Sequence, residues 1–173
     1  NELPAVIYIM NKISILTLTY NHENYIEECI KSILLQEVDA EIEILVGNDC
    51  STDNTAKILE KIGLFPHNIS MKVFNHTENQ GVARNFSSLM QEANGEYIAF
   101  LDGDDFMFPG KLQAQLSVFK NSSDINLVHH NVSEVNELSY IIKKEKIKRG
   151  VSGSINDLLK SCQSGIQSCS IMV

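Results

Sequence analysis

Two hydrophobic patterns alternate along the first 120 residues of the chain. Four segments are short, apolar runs, and they predict β-strands at residues 13–18, 43–47, 71–74 and 96–101. The segments between them carry apolar residues at helical spacing, and they predict four helices. Strands that alternate with helices indicate an α/β fold with a mainly parallel, Rossmann-like sheet and helices on both faces.

Particular residues predict where these helices begin and end. The first helix is expected from Asn24 onward, and Ser51 or Thr52 can cap the second. The third covers residues 81–93, where Asn94-Gly95 is expected to supply the left-handed residue that closes a helix. Pro109 is expected to open the fourth helix.

The pattern is weaker after about residue 121. We expect a fifth strand at residues 125–129, a sixth at 139–142 and a short helix from Ser154 to Leu159. The run at residues 143–149 holds five of the 14 Lys and Arg residues. A solvated strand edge or loop is its favoured interpretation, and contact with an anionic membrane surface or acceptor is the alternative.

Length and composition suit a single globular domain. The chain has 173 residues with 43% apolar content, which argues against disorder throughout. We interpret Met10 as the initiator, residues 1–9 as leader or added sequence, and residues 10–173 as one domain. The apolar ending at residues 171–173 predicts that this domain continues beyond Val173.

Charge and hydropathy restrict the partners and the location. The net charge of −8 argues against non-specific nucleic-acid binding, which needs a basic surface. No apolar run approaches the roughly 18 residues of a membrane span. We expect a cytoplasmic protein, either free or at the inner face of the membrane, with reduced thiols at Cys29, Cys50, Cys162 and Cys169.

Three polar loops follow predicted strands, at residues 19–21, 48–53 and 102–105. The carboxyl ends of parallel strands meet at one edge of a sheet, where ligands bind. Asp102, Asp104 and Asp105 repel one another unless a cation is bound, and their oxygens suit Mg²⁺ or Mn²⁺. A solvated acidic turn is the alternative, but the position after an apolar strand favours the metal site.

Three further side chains are candidates for nucleotide contacts. Asp49 can accept hydrogen bonds from a ribose or a base, and a helix-capping role is equally well supported. Tyr20 can stack on a base, or it can be a partly buried aromatic residue at the edge of the site. Arg84 can bind a phosphate, and a surface salt bridge is nearly as well supported.

Four motifs in order resemble the family 2 glycosyltransferases, which have the GT-A nucleotide-diphospho-sugar transferase fold. They lie at residues 13–21, 46–53, 79–85 and 95–105. The resemblance covers about residues 12–120 well and the remainder loosely. Two positions depart from the usual pattern, since Leu18 replaces a frequent Pro and Cys50 replaces a Gly.

The resemblance implies roles for particular residues. Asp102 and Asp104 would form the Asp-x-Asp motif that holds Mn²⁺ or Mg²⁺, and Asp105 would assist. Asp49 would contact the base and Arg84 would lie near the donor. The implied nucleotide-sugar contacts are Thr19, Tyr20, Asp49, Arg84 and Asp102.

The implied activity is a metal-dependent, inverting transfer of a hexose from a nucleoside diphosphate sugar, in first place a UDP-sugar, to an acceptor hydroxyl. The acceptor would be a glycan or a lipid-linked glycan of polysaccharide or cell-envelope synthesis. The catalytic base, an Asp or Glu, would follow Val173.

Three alternatives stay open from the sequence. The first is a nucleotide-sugar-binding module without catalysis, because the chain is truncated or inactive. An Asp-nucleophile phosphotransferase is less favoured. Those enzymes place their acidic pair after the first strand, whereas the pair of this chain follows the fourth predicted strand. A pyrophosphorylase-type transferase lacks support, because that class is expected to have a Gly- and Lys-rich loop after the first strand. Residues 19–22 contain neither Gly nor Lys.

Overall fold

Four parallel strands form the central sheet of the computed structural model, which describes residues 11–144 and 168–173. The strands are β1 (Lys12–Thr19), β2 (Glu41–Asn48), β3 (Ile69–Asn75) and β4 (Tyr97–Phe100). Their spatial order is β3-β2-β1-β4, so the first two strands of the sequence lie at the centre. The parallel sheet predicted from the alternating pattern is confirmed.

Four helices cover the two faces of this sheet. They are α1 (Ile26–Leu34), α2 (Thr55–Lys61), α3 (Val82–Glu92) and α4 (Lys111–Asn121). The larger core cluster joins one sheet face to α1, α2 and α4, with Ile15, Ile44 and Ile30 fully buried in it. The smaller cluster packs Leu89 of α3 against Leu16 on the opposite face. Neighbouring residues of β1 thus face opposite helices, as the alternation of a strand requires.

A buried polar cluster ties the amino-terminal ends of the strands together. The Glu43 carboxylate accepts hydrogen bonds from the Ser14 hydroxyl and from the Asn94 N–H, the latter at 2.6 Å. It also forms an ion pair with Lys12 at 2.8 Å. A Cβ added to Gly95 would lie 2.5 Å from the Ser14 nitrogen. Glycine is therefore needed here because the chain passes close to β1.

This cluster corrects the predicted end of the third helix. Gly95 is not among the residues with positive φ, and Ala93, which directly follows α3, has an extended conformation. The Asn94-Gly95 pair therefore supplies no left-handed cap. Glycine occupies position 95 because the backbone passes close to Ser14.

The starts of α2 and α4 also differ from the predictions. The Asp53 carboxylate accepts the Thr55 N–H at 2.9 Å at the start of α2. The Ser51 hydroxyl donates to Asn48 Oδ1, and the Thr52 N–H and hydroxyl donate to Asn21 Oδ1, so neither side chain caps the helix. The fourth helix begins at Lys111, after Gly110 with its left-handed φ of +82°. Pro109 therefore lies in the preceding turn and does not open the helix.

Short pairings follow α4. Residues 125–129 form no strand, since Val128 makes only an isolated bridge with Met172. Residues 171–173 also run antiparallel to β4, where Ile98 and Val173 exchange backbone hydrogen bonds of 2.8 and 2.9 Å. This apolar segment thus extends the sheet beyond β4, a pairing that the sequence did not predict.

A two-stranded hairpin completes the described part of the chain. It pairs β5 (Ser133–Val135), which was not predicted, with β6 (Ile141–Lys144), close to the predicted sixth strand. Lys143 of the basic run pairs with Glu134 at 2.8 Å. Residues 145–149 and the predicted helix from Ser154 lie outside the described residues. Within those residues no helix has the length and hydropathy that a membrane span needs.

Candidate functional site

The carboxyl ends of β1, β2 and β4 meet at one edge of the sheet, where the three polar loops come together. The Asp49 N–H donates to the Thr19 carbonyl oxygen at 2.9 Å, which ties the loop after β2 to β1. The Gly103 N–H donates to the Leu18 carbonyl oxygen at 2.8 Å, which ties the loop after β4 to the same strand. A ligand at this edge can therefore contact all three loops.

Asp49 is buried beneath this edge and anchors the start of α3. Its exposed fraction is 5%. Its Oδ1 accepts the Gln80 N–H at 2.7 Å, and its Oδ2 accepts the Gly81 N–H at 2.9 Å. The Asp49 carboxylate thus binds backbone N–H groups at the amino-terminal end of α3, although Asp49 lies outside that helix. Each oxygen keeps a second lone pair, so Asp49 can still accept a hydrogen bond from a base or a ribose.

Arg84 lies on the first turn of α3 and is exposed. Within residues 11–144 and 168–173 no hydrogen bond or ion pair engages its guanidinium group, so the surface salt bridge offered by the sequence is not found there. Because Asp49 fixes where α3 begins, it also sets the position of Arg84 beside the site.

Thr19 and Tyr20 differ in exposure at the end of β1. Tyr20 is 44% exposed, which leaves its ring open for stacking on a planar base. Thr19 is buried, and its Oγ1 lacks a hydrogen-bond partner among the described residues. The predicted nucleoside contacts therefore comprise an open aromatic ring and a buried hydroxyl.

Cys50 adopts a left-handed backbone conformation, with φ at +62°. This is the position where the resembling family commonly has glycine. A Cβ in that conformation costs about 1 kcal/mol. The loop after β2 therefore holds Cys50 in a conformation that glycine would adopt without this cost.

The loop at residues 102–105, called the acidic loop below, packs closely against β1 at Gly103. A Cβ on this buried residue would lie 2.8 Å from Thr19 Cβ and 2.9 Å from His22 Nδ1, so only glycine fits. The Asp105 N–H donates to the Asp102 carbonyl oxygen at 2.9 Å, which closes the turn. Asp104 points outward, and its Oδ2 lies 4.0 Å from His22 Nε2.

Two residues near the end of the chain contact the acidic loop, and sequence reasoning missed both. The Ser168 hydroxyl donates to Asp102 Oδ2 at 2.6 Å. The Cys169 thiol lies close enough to the Asp105 carboxylate for each group to shift the pKa of the other. No local pattern could reveal these contacts, because 66 residues separate Ser168 from Asp102.

The carboxylates of the acidic loop repel one another. Burial raises the pKa of Asp105, and the Asp104 and Asp102 carboxylates raise it further, against a hydrogen bond from Cys169 that lowers it. Burial, followed by Asp105, raises the pKa of the Cys169 thiol to about 12. A cation bound here would relieve this repulsion.

The donor set suits a metal that shares its coordination with a substrate. Within the described ranges, no group of three His, Cys, Asp or Glu side chains is arranged to hold a metal ion by itself. Mg²⁺ and ions like it commonly bind one or two carboxylates and complete their coordination with phosphate oxygens and water. Asp102 and Asp104 can supply the one or two carboxylates that such a site needs.

A cavity of about 650 Å³ borders the acidic loop on its other side. Asp104 and Asp105 line it together with Lys111 at the start of α4 and with His129 and His130. Burial lowers the pKa of Lys111 to about 8. None of these three basic side chains was predicted as a site residue.

The sequence matches one protein family over most of its length. The family model described as "Glycosyl transferase family 2" matches residues 14–172. An uncharacterized glycosyltransferase of Nostoc is 34% identical over 119 residues, which are 69% of this chain and 36% of the relative. The poly(ribitol-phosphate) beta-N-acetylglucosaminyltransferase TarS of Staphylococcus aureus is 33% identical over 122 residues, 69% of this chain and 21% of TarS. The chain thus spans between 21% and 36% of the length of these two curated relatives.

Solved structures share the fold. TarS in complex with UDP-GlcNAc superimposes with a TM-score of 0.58 at 28% identity, over 83% of this chain and 37% of that chain. A mannosyltransferase of Pyrobaculum calidifontis in complex with GDP-Man and Mn²⁺ has a TM-score of 0.58 at 21% identity, over 70% of this chain and 35% of that chain, and shows the fold alone. The predicted GT-A fold is confirmed.

Proposed function

Because the chain belongs to glycosyl transferase family 2, we propose that it binds a nucleoside diphosphate sugar at the carboxyl edge of its sheet and transfers the sugar to an acceptor hydroxyl. One observation carries this proposal: the Asp102–Asp105 loop is held against β1 beside Asp49 and Tyr20. Carboxylates that can hold a metal and its diphosphate thus adjoin groups that can hold a nucleoside. A UDP-sugar is the first candidate donor, since the TarS complex contains UDP-GlcNAc.

Each residue has a distinct part in donor binding. The open ring of Tyr20 stacks on the base, and Asp49 accepts a hydrogen bond from the base with its remaining lone pairs. Thr19 lies beneath the nucleoside. Arg84 extends from α3 toward the diphosphate, where a guanidinium group can bind two phosphate oxygens.

The acidic loop provides for the leaving group. Asp104, which points outward, and Asp102, which Ser168 orients, would hold Mn²⁺ or Mg²⁺. When bound, the metal ion neutralises the negative charge that develops on the departing diphosphate. Gly103 keeps both carboxylates close to the strand that carries the nucleoside contacts.

An inverting reaction also needs a base that removes the acceptor proton. No residue within 11–144 and 168–173 is assigned to this role, and glycan or lipid-linked glycan hydroxyls of the cell envelope are the proposed acceptors. In support, TarS is named a poly(ribitol-phosphate) beta-N-acetylglucosaminyltransferase, and TuaG of Bacillus subtilis, 34% identical over 111 residues, is named for teichuronic acid biosynthesis. The cytoplasmic location and the peripheral membrane contact stay predictions.

Thermal unfolding with UDP, GDP, CDP and dTDP, each with and without Mn²⁺, tests the donor site. A ligand at about 100 times its Kd adds roughly 2.7 kcal/mol, which is about 5–10 °C for a domain of this size. We expect UDP to stabilise the protein with Mn²⁺, and Asp104→Asn to lose this response. Asp124→Asn, at an exposed position after α4, is the matched control and should keep it. If no nucleotide shifts the transition with metal, the proposal is wrong.

A donor-binding module without catalysis is the second candidate. The chain spans at most 36% of the two relatives compared above, and no residue in the described ranges is assigned as the base. Release of UDP from a UDP-sugar in the presence of acceptors distinguishes the two. Metal-dependent UDP binding without release would favour the module.

A further inference from the structure

The cavity beside the acidic loop contains a cation without a counter-ion. Lys111 lines it, and the Lys111 Nζ donates to the neutral Gln115 Oε1 at 3.0 Å. In the part of the chain that the structure describes, no carboxylate oxygen lies within 4.0 Å of this Nζ. Carboxylates pair with the lysines at positions 12, 31, 72, 120 and 143. Among the described residues Lys57 and Lys61 also lack a carboxylate partner, but both are exposed to solvent, whereas Lys111 lies in the cavity wall.

The surroundings of Lys111 make an anion favourable. Burial lowers its pKa to about 8, so the ammonium is still mostly protonated at pH 7 although it has lost much of its hydration. Two of its neighbours, Cys169 and His130, are uncharged at that pH, whereas the carboxylates of Asp104 and Asp105 line the same cavity. The pKa of the Cys169 thiol is raised to about 12, and burial lowers the pKa of His130. A partly desolvated ammonium gains more from a negatively charged partner than from a neutral one.

The cavity also has the size and place of a substrate site. Its volume of about 650 Å³ is within the range of small-molecule pockets. Phe106, Phe108 and Val132 supply apolar wall, and the polar side chains that line the cavity include Lys111, Asp104 and Asp105. Because Asp104 and Asp105 line the same cavity, a ligand in it would adjoin the proposed metal and donor diphosphate.

We infer that this cavity receives the acceptor, and that Lys111 selects acceptors that carry an anionic group, a phosphate or a carboxylate, near the hydroxyl that receives the sugar. This role rests on the proposed function, since only a donor at Asp102 and Asp104 makes the cavity an acceptor site. The hydroxyl lies toward the acidic loop, and the anionic group pairs with Lys111.

Calorimetric titration of small acceptor analogues tests this role. sn-Glycerol 3-phosphate, glycerate and glycerol are each titrated into the protein already saturated with UDP and Mn²⁺, so the donor diphosphate site is filled. The native protein should bind one of the two anions at least tenfold more tightly than glycerol, and the better anion identifies the group. Lys111→Met should abolish the preference and Lys111→Arg should keep it. Lys61→Met, exposed at the end of α2, is the control and should behave as the native protein.

Three results would overturn the role of Lys111: equal binding of the anions and glycerol, an unchanged preference in Lys111→Met, or an equal loss in Lys61→Met. The melting temperature of the Lys111→Met variant should equal or exceed that of the native protein, because a buried methionine loses no hydration of a charge. If the Lys111→Met variant does not fold, Lys111→Gln takes its place in the titrations. UDP binding is measured first. If UDP does not bind, the proposed function and this role both fail, whereas UDP binding without anion preference removes this role alone.

Discussion

Replacing Glu43 by Gln removes the charge at the centre of the buried polar cluster. The carboxylate receives the Ser14 hydroxyl, the Asn94 N–H at 2.6 Å and the Lys12 ammonium at 2.8 Å. Three donors thus converge on two oxygens. Glutamine offers one oxygen and an NH₂ group, so at least one donor loses its acceptor and faces another donor.

The magnitude follows from these contacts. Hydrogen bonds to charged groups contribute about 1.5–3 kcal/mol, and the ion pair with the partly exposed Lys12 adds little. We expect Glu43→Gln to lower the free energy of unfolding by about 2 kcal/mol, which corresponds to a Tm lower by about 4–8 °C. Urea denaturation at pH 7 measures this difference. Glu41→Gln, exposed on the same strand, is the control and should lie within about 0.5 kcal/mol of the native protein.

The effect should depend on pH in a defined direction. Burial alone would raise the pKa of Glu43, but hydrogen bonds from Lys12, Ser14 and the Asn94 N–H outweigh it and lower the pKa. A carboxyl group whose pKa is lower in the folded state stabilises the fold above its unfolded pKa of about 4.3. The stability it contributes is lost as the pH falls through the folded value. The difference between native and Glu43→Gln should therefore be constant from pH 7 to 5 and shrink below about pH 4.3. A difference under about 0.5 kcal/mol at pH 7, or one equally large at pH 3, would refute this reasoning.

Two further predictions concern the acidic loop. Ser168→Ala should weaken Mn²⁺ binding about tenfold in the presence of UDP, because Asp102 loses the hydrogen-bond donor that orients it. The affinity for UDP without metal should stay unchanged. Calorimetry measures both affinities, and an unchanged Mn²⁺ affinity would contradict the prediction. Gly103→Ala should lower the free energy of unfolding by about 1–3 kcal/mol, because the added Cβ would lie 2.8 Å from Thr19 Cβ. Urea denaturation tests the second, and native stability would show that the loop can move away from β1.

The fold could be predicted from the sequence wherever the burial of a single strand or helix leaves a hydrophobic pattern in its own residues. The apolar run of β1 and the helical spacing of Ile26, Ile30 and Ile33 reflect burial of one element against the sheet. The alternation of strands and helices then fixed a parallel sheet with both faces covered. The acidic residues could be placed at the carboxyl edge for the same reason, since they follow an apolar strand directly.

Contacts between distant segments could not be predicted. Gly95 suggests a helix cap, but its close approach to Ser14 joins residues 81 positions apart. The pairing of residues 171–173 with β4 and the Ser168 contact with Asp102 join segments more than 60 residues apart. Lys111 gave no signal as a site residue, because its burial and its lack of a carboxylate partner depend on the packing around the cavity.

Calorimetric titration of UDP in the presence and absence of Mn²⁺ tests the central claim most directly, that the carboxyl edge of the sheet holds a nucleoside diphosphate through the acidic loop. We predict that Mn²⁺ tightens UDP binding at least tenfold, about 1.4 kcal/mol, in the native protein and in Asp124→Asn. Asp104→Asn should lose this metal-dependent part and keep the weaker metal-free binding. UDP affinity that is the same with and without Mn²⁺, or that Asp104→Asn leaves unchanged, would contradict the account.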